Sequence, residues 1–295
     1  MSLGTPDDLD TLARMQRDLR VAGAVVVPGL LDDRWCARLR DAIERCRERP
    51  SIHHGVLSRP GSPLVDSDLF RWTDDPDIYA VTHRSPLVAW AATLLGVDDV
   101  VLVEDQWFAS EPLATTPTPW HQDQPYYRID RPFLTVWVTL DDVDGDSSLQ
   151  VVGGSHRGPI YAPAEFAATA PTVDTDAAGG SLPPVPVVAA DAVQTWSLRA
   201  GDGVALDSRT LHATGDGVVA APFRRISTRW AEPAARYVAR SGTAAFWDLI
   251  PHGLRDGDLL SCAAFPLVGL HVGADAAGRR RRGASPPSPL SSSST

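Results

Sequence analysis

Residues 118–127, TPWHQDQPYY, set a histidine (His121) and an aspartate (Asp123) two positions apart amid aromatics. Along an extended strand that spacing is about 6.6 Å, and both side chains leave the same face. A cation about 2 Å from each donor could sit between them. The pair alone is weak evidence: with 8 His and 37 acidic residues in 295, chance supplies about one His-x-acid pair. A metal site needs a third ligand, and histidine is the donor favoured by divalent iron, zinc or copper. His53, His54, His83, His156, His212, His252 and His271 are available. His212 stands out by its setting, RAGDGVALDSRTLHATGDG, in which a tight AGDG turn opens a short strand and the histidine follows in a polar, glycine-bearing segment. The others fall in loops or at helix edges, where a solvated ring is the simpler reading.

The remainder of the composition narrows the chemistry. All 27 basic residues are arginine, which points to codon bias in a GC-rich genome and removes Schiff-base lysines and the phosphate-loop lysine. The net charge is −10, and the Arg/Pro/Ser tail from Ala274 onward, expected to be disordered, carries positive charge, so the body is more acidic still. An acidic body argues against nucleic acid as the main partner and suits a small-molecule substrate. Cys36, Cys46 and Cys262 form no disulfide or metal pattern, and the acidic N-terminus lacks a signal-peptide layout, so a reducing cytoplasm is expected. The longest apolar runs are too short and interrupted to span a bilayer, and no membrane association is expected.

The elements that must position these residues change character along the chain. PDDLDTLARMQRDLRVAG reads as a helix with Thr5 as cap and Gly23 as stop, followed by a short strand, AVVVPGLL. DDRWCARLRDAIERCRER and SPLVAWAATLLG are two more helices. From Asp98 the segments DVVLVEDQWFAS, TPWHQDQPYY, FLTVWVTLDDV, SLQVVGG, AVQTWSLRAGDGVALD and FRRISTRWAEP read as short strands. Helices followed by many strands predict an α+β protein built on a sandwich or small barrel. The Ala/Pro/Gly-rich stretch 158–192 reads as a lid beside the site.

TPWHQDQPYYRIDRPFLTVWVTLDDVDGDSSLQVVGGSHRG and RAGDGVALDSRTLHATGDG…FRRISTRW closely resemble the phytanoyl-CoA dioxygenase family of iron(II)- and 2-oxoglutarate-dependent oxygenases. GAVVVPGLLDD and GLRDGDLL…FPLV extend the likeness over nearly all of residues 15–270, one domain preceding the tail. The resemblance implies a double-stranded β-helix (a jelly-roll, cupin-like core) with flanking N-terminal helices. It implies iron(II) held by His121, Asp123 and His212 as a two-His, one-carboxylate facial triad, with open positions for 2-oxoglutarate and O2. Related halogenating enzymes carry a small residue where this chain has Asp123, so oxidation of an unactivated C–H bond is implied instead. Hydroxylation, cyclisation, epimerisation and desaturation all belong to that chemistry. With the GC-rich composition, it suggests tailoring of a bacterial secondary metabolite.

The far carboxylate of 2-oxoglutarate calls for a planar, bidentate arginine. The family places it about eleven residues past the distal histidine, which without gaps is Phe223. Arg224 and Arg225 are adjacent; strand parity favours Arg225, and a one-residue shift favours Arg224. Arg229 better fits a structural salt bridge. Should Phe223 truly replace the anchor, a metal enzyme of the same barrel without 2-oxoglutarate is the alternative, or a barrel that only binds a small ligand. Thr214 matches a supporting family hydroxyl and Trp137 a tryptophan of the co-substrate pocket, whereas Ser110 stands where the family often has lysine and is given no role. Gln106, Trp107, Gln122, Tyr126 and Tyr127 are candidate substrate contacts, with Phe246 and Trp247 weaker ones, although simple packing is the favoured reading for Gln122. The GGSHRG turn, with His156 and Arg157, reads as structural.

Overall fold

The computed structural model describes residues 9–115, 118–164, 182–240 and 246–269. Thr5, His271, the tail from 274 and the centre of the expected lid, 165–181, lie outside the described residues.

Helix α1 (Leu9–Ala22) ends at Gly23, whose φ of 78° is left-handed. A Cβ at Gly23 would overlap the His156 ring and the Thr210 hydroxyl, so only glycine lets the helix end approach so closely. The Gly23 carbonyl accepts from Thr210 Oγ1 at 2.7 Å and from the Asp207 amide at 2.9 Å. The helix-to-strand joint thereby holds the turn that precedes His212. His156 Nε2 contacts the Arg20 carbonyl at 3.1 Å, and Arg157 bonds the Val21 carbonyl, so the GGSHRG turn is structural as expected.

Strand β1 (Ala24–Val27) leads to α2 (Asp33–Glu48), capped by the Asp32 carboxylate on the Trp35 amide. Strands β2 (Gly55–Val56) and β3 (Val65–Leu69) follow, then α3 (Pro76–Arg84) and α4 (Pro86–Leu95). Ser85 caps α4 and left-handed Gly96 closes it, the bounds its sequence predicted. Helix α3 was not anticipated, although Asp75 before Pro76 is an N-cap followed by proline at the first helical position. Its short span leaves too few turns for a legible apolar stripe.

The strands are β4 (Asp99–Ser110), β5 (Leu134–Thr139), β6 (Leu149–Val152), β7 (Val193–Thr195), β8 (Gly203–Asp207), β9 (His212–Thr214), β10 (Phe223–Ala231) and β11 (Leu267–Gly269). A one-turn helix, α5 (Phe246–Leu249), precedes the last. The large antiparallel sheet runs β1-β8-β5-β10-β4-β3-β2, with β11 also on β4, and the small one runs β7-β6-β9. The chain passes between the sheets as it winds, β4 and β5 in the large, β6 and β7 in the small, β8 back, β9 across, β10 back. This is the double-stranded β-helix.

One face of the large sheet is covered by α1, α2 and α4 through a core containing Trp90, Trp107, Ile226 and Trp230. The other face looks across at the small sheet, where Trp137, Leu149, Val151, Val204, Leu206 and Phe223 cluster. The side-chain alternation of β10 divides between these faces, with Ile226 and Trp230 in the helix-side core and Arg225, Ser227 and Arg229 on the cavity. The same alternation corrects one expectation: Gln106 faces the cavity, and its neighbour Trp107 is fully buried under the helices. Trp107→Ala should therefore cost about 3–5 kcal/mol of stability, measured as a lowered urea midpoint, rather than alter ligand binding selectively. No helix among the described residues is long and apolar enough to cross a membrane.

Candidate active site

TPWHQDQPYY is not a continuous strand, contrary to its alternating pattern. His121 makes a single antiparallel bridge to His212, its amide to the His212 carbonyl at 3.0 Å and the reverse at 2.9 Å. Asp123 is already helical (φ −71°, ψ −37°) and opens a 3-10 turn over Gln124–Tyr126. Pro125 lacks an amide hydrogen and cannot continue a ladder, which favours this exit from the sheet. The pair is brought to one side by the strand-to-turn transition, not by strand parity. Three residues upstream of the bridge, Thr118 and Thr214 lock the same two segments, each amide donating to the other's hydroxyl at 2.8 Å.

His121, Asp123 and His212 are buried, and their ligand atoms lie within 4.8 Å of one another. Asp123 Oδ1 is 3.8 Å from Nε2 of each histidine. Each Nδ1 lies 2.9 Å from a backbone carbonyl two residues earlier, that of Pro119 for His121 and of Thr210 for His212. A carbonyl only accepts, so both Nδ1 atoms carry hydrogen and Nε2 is the lone-pair nitrogen in each ring. Burial, then the proximity of His212, pull His121 down to about 3, and burial also lowers His212. Both rings are therefore neutral, as metal ligands must be, at neutral pH. Burial alone would raise the Asp123 carboxyl, but Arg229, the two histidines and the Thr135 hydroxyl hold it well below the ordinary carboxylate range. Two neutral imidazoles and one ionised carboxylate, on one side of an enclosed space, fit a divalent first-row metal.

The triad opens on a cavity of about 430 Å³ between the sheets. Arg225 lines it, buried, with Nη1 donating to Ser110 Oγ at 3.0 Å. Its guanidinium lies over the rings of Phe223 (4.8 Å) and Phe108 (5.0 Å), and no carboxylate among the described residues pairs with it within 4.0 Å. Burial pulls Arg225 down to about 10, so its charge is held at a cost at neutral pH. Phe223, at the position where an ungapped count puts the anchor, forms a cation–π platform for the arginine two residues later.

Arg224 is corrected as a co-substrate contact. It points to the opposite side of β10 and pairs with Asp141 at 3.0 Å, so it does not reach the cavity. Thr214 and Trp137 do line the cavity. Gln122 is corrected as a substrate contact: it bonds the Pro159 and Arg209 carbonyls (3.1 and 2.7 Å) and the Tyr161 amide (2.9 Å), pinning one end of the 158–192 stretch to the turn before His212. Tyr126 and Tyr127 line the cavity, with hydroxyls donated to the Ala164 carbonyl and Glu104. Phe246 lines it as well, while Trp247 is buried and donates to the Tyr126 carbonyl at 3.1 Å.

Several cavity residues escaped the sequence reading, namely Phe108, Glu104 and Thr135, and Ser110, given no role there, accepts from the cavity-lining Arg225. Strand parity held the signal for most of them. Glu104, Phe108 and Ser110 share the face of Gln106 on β4, and Thr135 that of Trp137 on β5.

Residues 19–226 match the model of the family described as Phytanoyl-CoA dioxygenase (PhyH). No curated protein matches significantly in sequence. Among solved structures, the epimerase SnoN in complex with Fe3+, alpha ketoglutarate and nogalamycin RO is similar with a TM-score of 0.71 and 24% identity, over 88% of this chain and 99% of that one. The alpha ketoglutarate dependent carbocyclase SnoK from nogalamycin biosynthesis gives 0.67 and 20%, over 86% and 95%. EvdO2 from Micromonospora carbonacea var. aurantiaca, complexed with 2-oxoglutarate, gives 0.56 and 21%, over 82% and 97%. The chain belongs to the phytanoyl-CoA dioxygenase family and is an iron- and 2-oxoglutarate-dependent oxygenase on a double-stranded β-helix.

Proposed function

We propose that this oxygenase tailors a small secondary metabolite at an unactivated C–H bond, with iron(II) held by His121, Asp123 and His212 and 2-oxoglutarate anchored by Arg225. The observation that carries the reading is the buried Arg225 in the same cavity as the triad, with Asp66 acting on it from a distance and no carboxylate among the described residues within 4.0 Å. An unpaired buried cation is expensive, and a dicarboxylic co-substrate supplies its missing counter-charge.

When bound, iron, 2-oxoglutarate and O2 supply the oxidising power, with the oxo acid leaving as succinate and CO2. The chain binds, orients and dries. Pro119 and Thr210 carbonyls fix the histidine tautomers, and Ser110 with the Phe223 and Phe108 rings fix the anchor. Trp137 and Thr214 wall the co-substrate side.

The opposite side suits a substrate with an apolar body bearing an oxygen. Ile52, Val56 and Leu249 are exposed apolar residues on the cavity rim, with Leu57, Leu69 and Phe246 also lining it. Gln106 Oε1 accepts from Arg229 at 3.3 Å. A guanidinium has only donors, so the oxygen must face it and the Gln106 NH2 is turned away, available to a substrate carbonyl, ether or hydroxyl. The neighbours that act in nogalamycin biosynthesis support a role on molecules of that kind.

The test needs no substrate. Protein loaded with iron(II) under anaerobic conditions and then given 2-oxoglutarate should develop a visible charge-transfer band that neither component produces alone. Absence of that band from iron-loaded protein sinks the reading.

A further inference from the structure

Among the described residues, the Asp123 carboxylate is gripped on one oxygen only. Oδ2 takes the Thr135 hydroxyl at 2.6 Å and Arg229 Nε at 3.3 Å. Oδ1 takes no donor among the described residues and faces the two histidine Nε2 atoms. The grip is built into the sheet. Arg229 on β10 is the direct cross-strand partner of Thr135 on β5 and of Glu104 on β4, so the three form one row across adjacent strands. The ladder between β10 and β4 shifts register immediately afterwards, between Arg229 and Trp230. Such irregularities re-aim side chains at the rim of a barrel.

Arg229 is itself immobilised. Its Nη1 donates to Glu104 Oε1 at 2.6 Å, and its guanidinium lies 5.5 Å from the Tyr127 ring centroid. The Tyr127 hydroxyl occupies the other Glu104 oxygen at 2.9 Å. Both Glu104 oxygens are thereby engaged by the protein.

A carboxylate can bind a cation through one oxygen or both, and the second oxygen takes up a further metal position. A six-coordinate metal with two imidazoles and a one-oxygen carboxylate keeps three positions for other ligands, whereas a chelating carboxylate leaves two. Chelating 2-oxoglutarate and O2 together require three.

We propose that the Thr135–Arg229–Glu104 row is a positioning device that keeps Asp123 a one-oxygen ligand and so reserves a metal position for the co-substrate. The inference rests on the iron and 2-oxoglutarate reading above. Thr135 and Arg229 act through Asp123, without touching the reacting atoms. Removing either donor loosens the hold on Oδ2, which could then turn toward a bound metal. Iron is then retained, and 2-oxoglutarate must compete for a position that Asp123 now takes.

The experiment compares Thr135→Val, Thr135→Ser and Arg229→Met with the parent, each loaded anaerobically with iron(II). Iron stoichiometry, the urea midpoint and titration of the 2-oxoglutarate charge-transfer band are read on every protein. Thr135→Val and Arg229→Met should hold iron but need roughly 10- to 100-fold more 2-oxoglutarate to reach half of the band, the worth of one hydrogen bond to a charged group. Thr135→Ser keeps the hydroxyl and should titrate like the parent. A folded, iron-loaded Thr135→Val that titrates at the parent's concentration overturns the proposal. So does one that loses iron while its loaded fraction titrates normally, which is what a merely structural role predicts. Should Arg229→Met not fold, the Val and Ser pair at position 135 decides. A parent without any band defeats the underlying reading and this inference with it; a parent band with unshifted variants defeats this inference alone.

Discussion

His212→Ala is expected to weaken iron(II) binding by roughly 100-fold or more, because it deletes one of the three side chains that offer the metal a ligand. The 2-oxoglutarate band and substrate-dependent succinate formation should disappear together. The site explains why a single deletion reaches so far. His212 Nε2 lies 3.8 Å from Asp123 Oδ1, and its backbone makes the only bridge pairing His121 in the sheet among the described residues. Alanine keeps that backbone bridge and removes only the imidazole. The urea midpoint of the metal-free protein should therefore stay near the parent's, or rise slightly, since the alanine variant no longer buries an imidazole whose protonation is suppressed. Iron titration with a colorimetric chelator, beside urea denaturation, separates the two quantities. Full iron binding by a folded His212→Ala would remove this histidine from the metal site.

Arg225→Met is the second large effect, and it has opposite signs in binding and in stability. Truncating one member of a buried charge pair costs about 2–5 kcal/mol, which is roughly 30- to 5,000-fold in the 2-oxoglutarate Kd. Without co-substrate, however, Arg225 is a buried cation that touches Ser110, Phe108 and Phe223, with Asp66 acting from a distance and no carboxylate among the described residues within 4.0 Å. Methionine of similar length relieves that desolvation. The variant should therefore be at least as stable as the parent when both are free of ligand, and should lose the rise in Tm that 2-oxoglutarate gives the parent. Arg224→Met supplies the control. Its guanidinium pairs with Asp141 outside the cavity, so it should leave the 2-oxoglutarate Kd unchanged and cost up to about 1 kcal/mol of stability. Thermal shift with and without 2-oxoglutarate, together with titration of the charge-transfer band, measures both. Equal losses of co-substrate binding in the Arg224 and Arg225 variants would contradict the assignment.

The amino-acid sequence by itself determined the helix bounds that depend on local signals. Gly23, Asp32, Ser85 and Gly96 end or begin helices because of backbone freedom and side-chain capping, which act over a few residues. It also carried the candidate metal ligands, since His212 stands out by its local setting and the resemblance to a known family joined it to His121 and Asp123. Strand parity favoured Arg225 and a one-residue shift Arg224, and it is the folded structure that turns Arg224 to Asp141 and leaves Arg225 lining the cavity.

Tertiary structure decided the rest, and for one physical reason: the cavity is made of cross-strand neighbours far apart in the chain. Parity separates Gln106 from Trp107 but cannot say which face the helices cover; packing of α1, α2 and α4 buried Trp107 and left Gln106 to the cavity. Gln122 and Trp137 are both interior polar-or-aromatic residues near the triad, yet one braces a loop and the other lines the pocket, according to partners 37 and 87 residues away for the first. The row of Thr135, Arg229 and Glu104 exists only once β5, β10 and β4 are in register, which no local pattern records. Asp123 shares a side with His121 because the chain leaves the sheet between them, a turn anchored by pairing with the segment around His212.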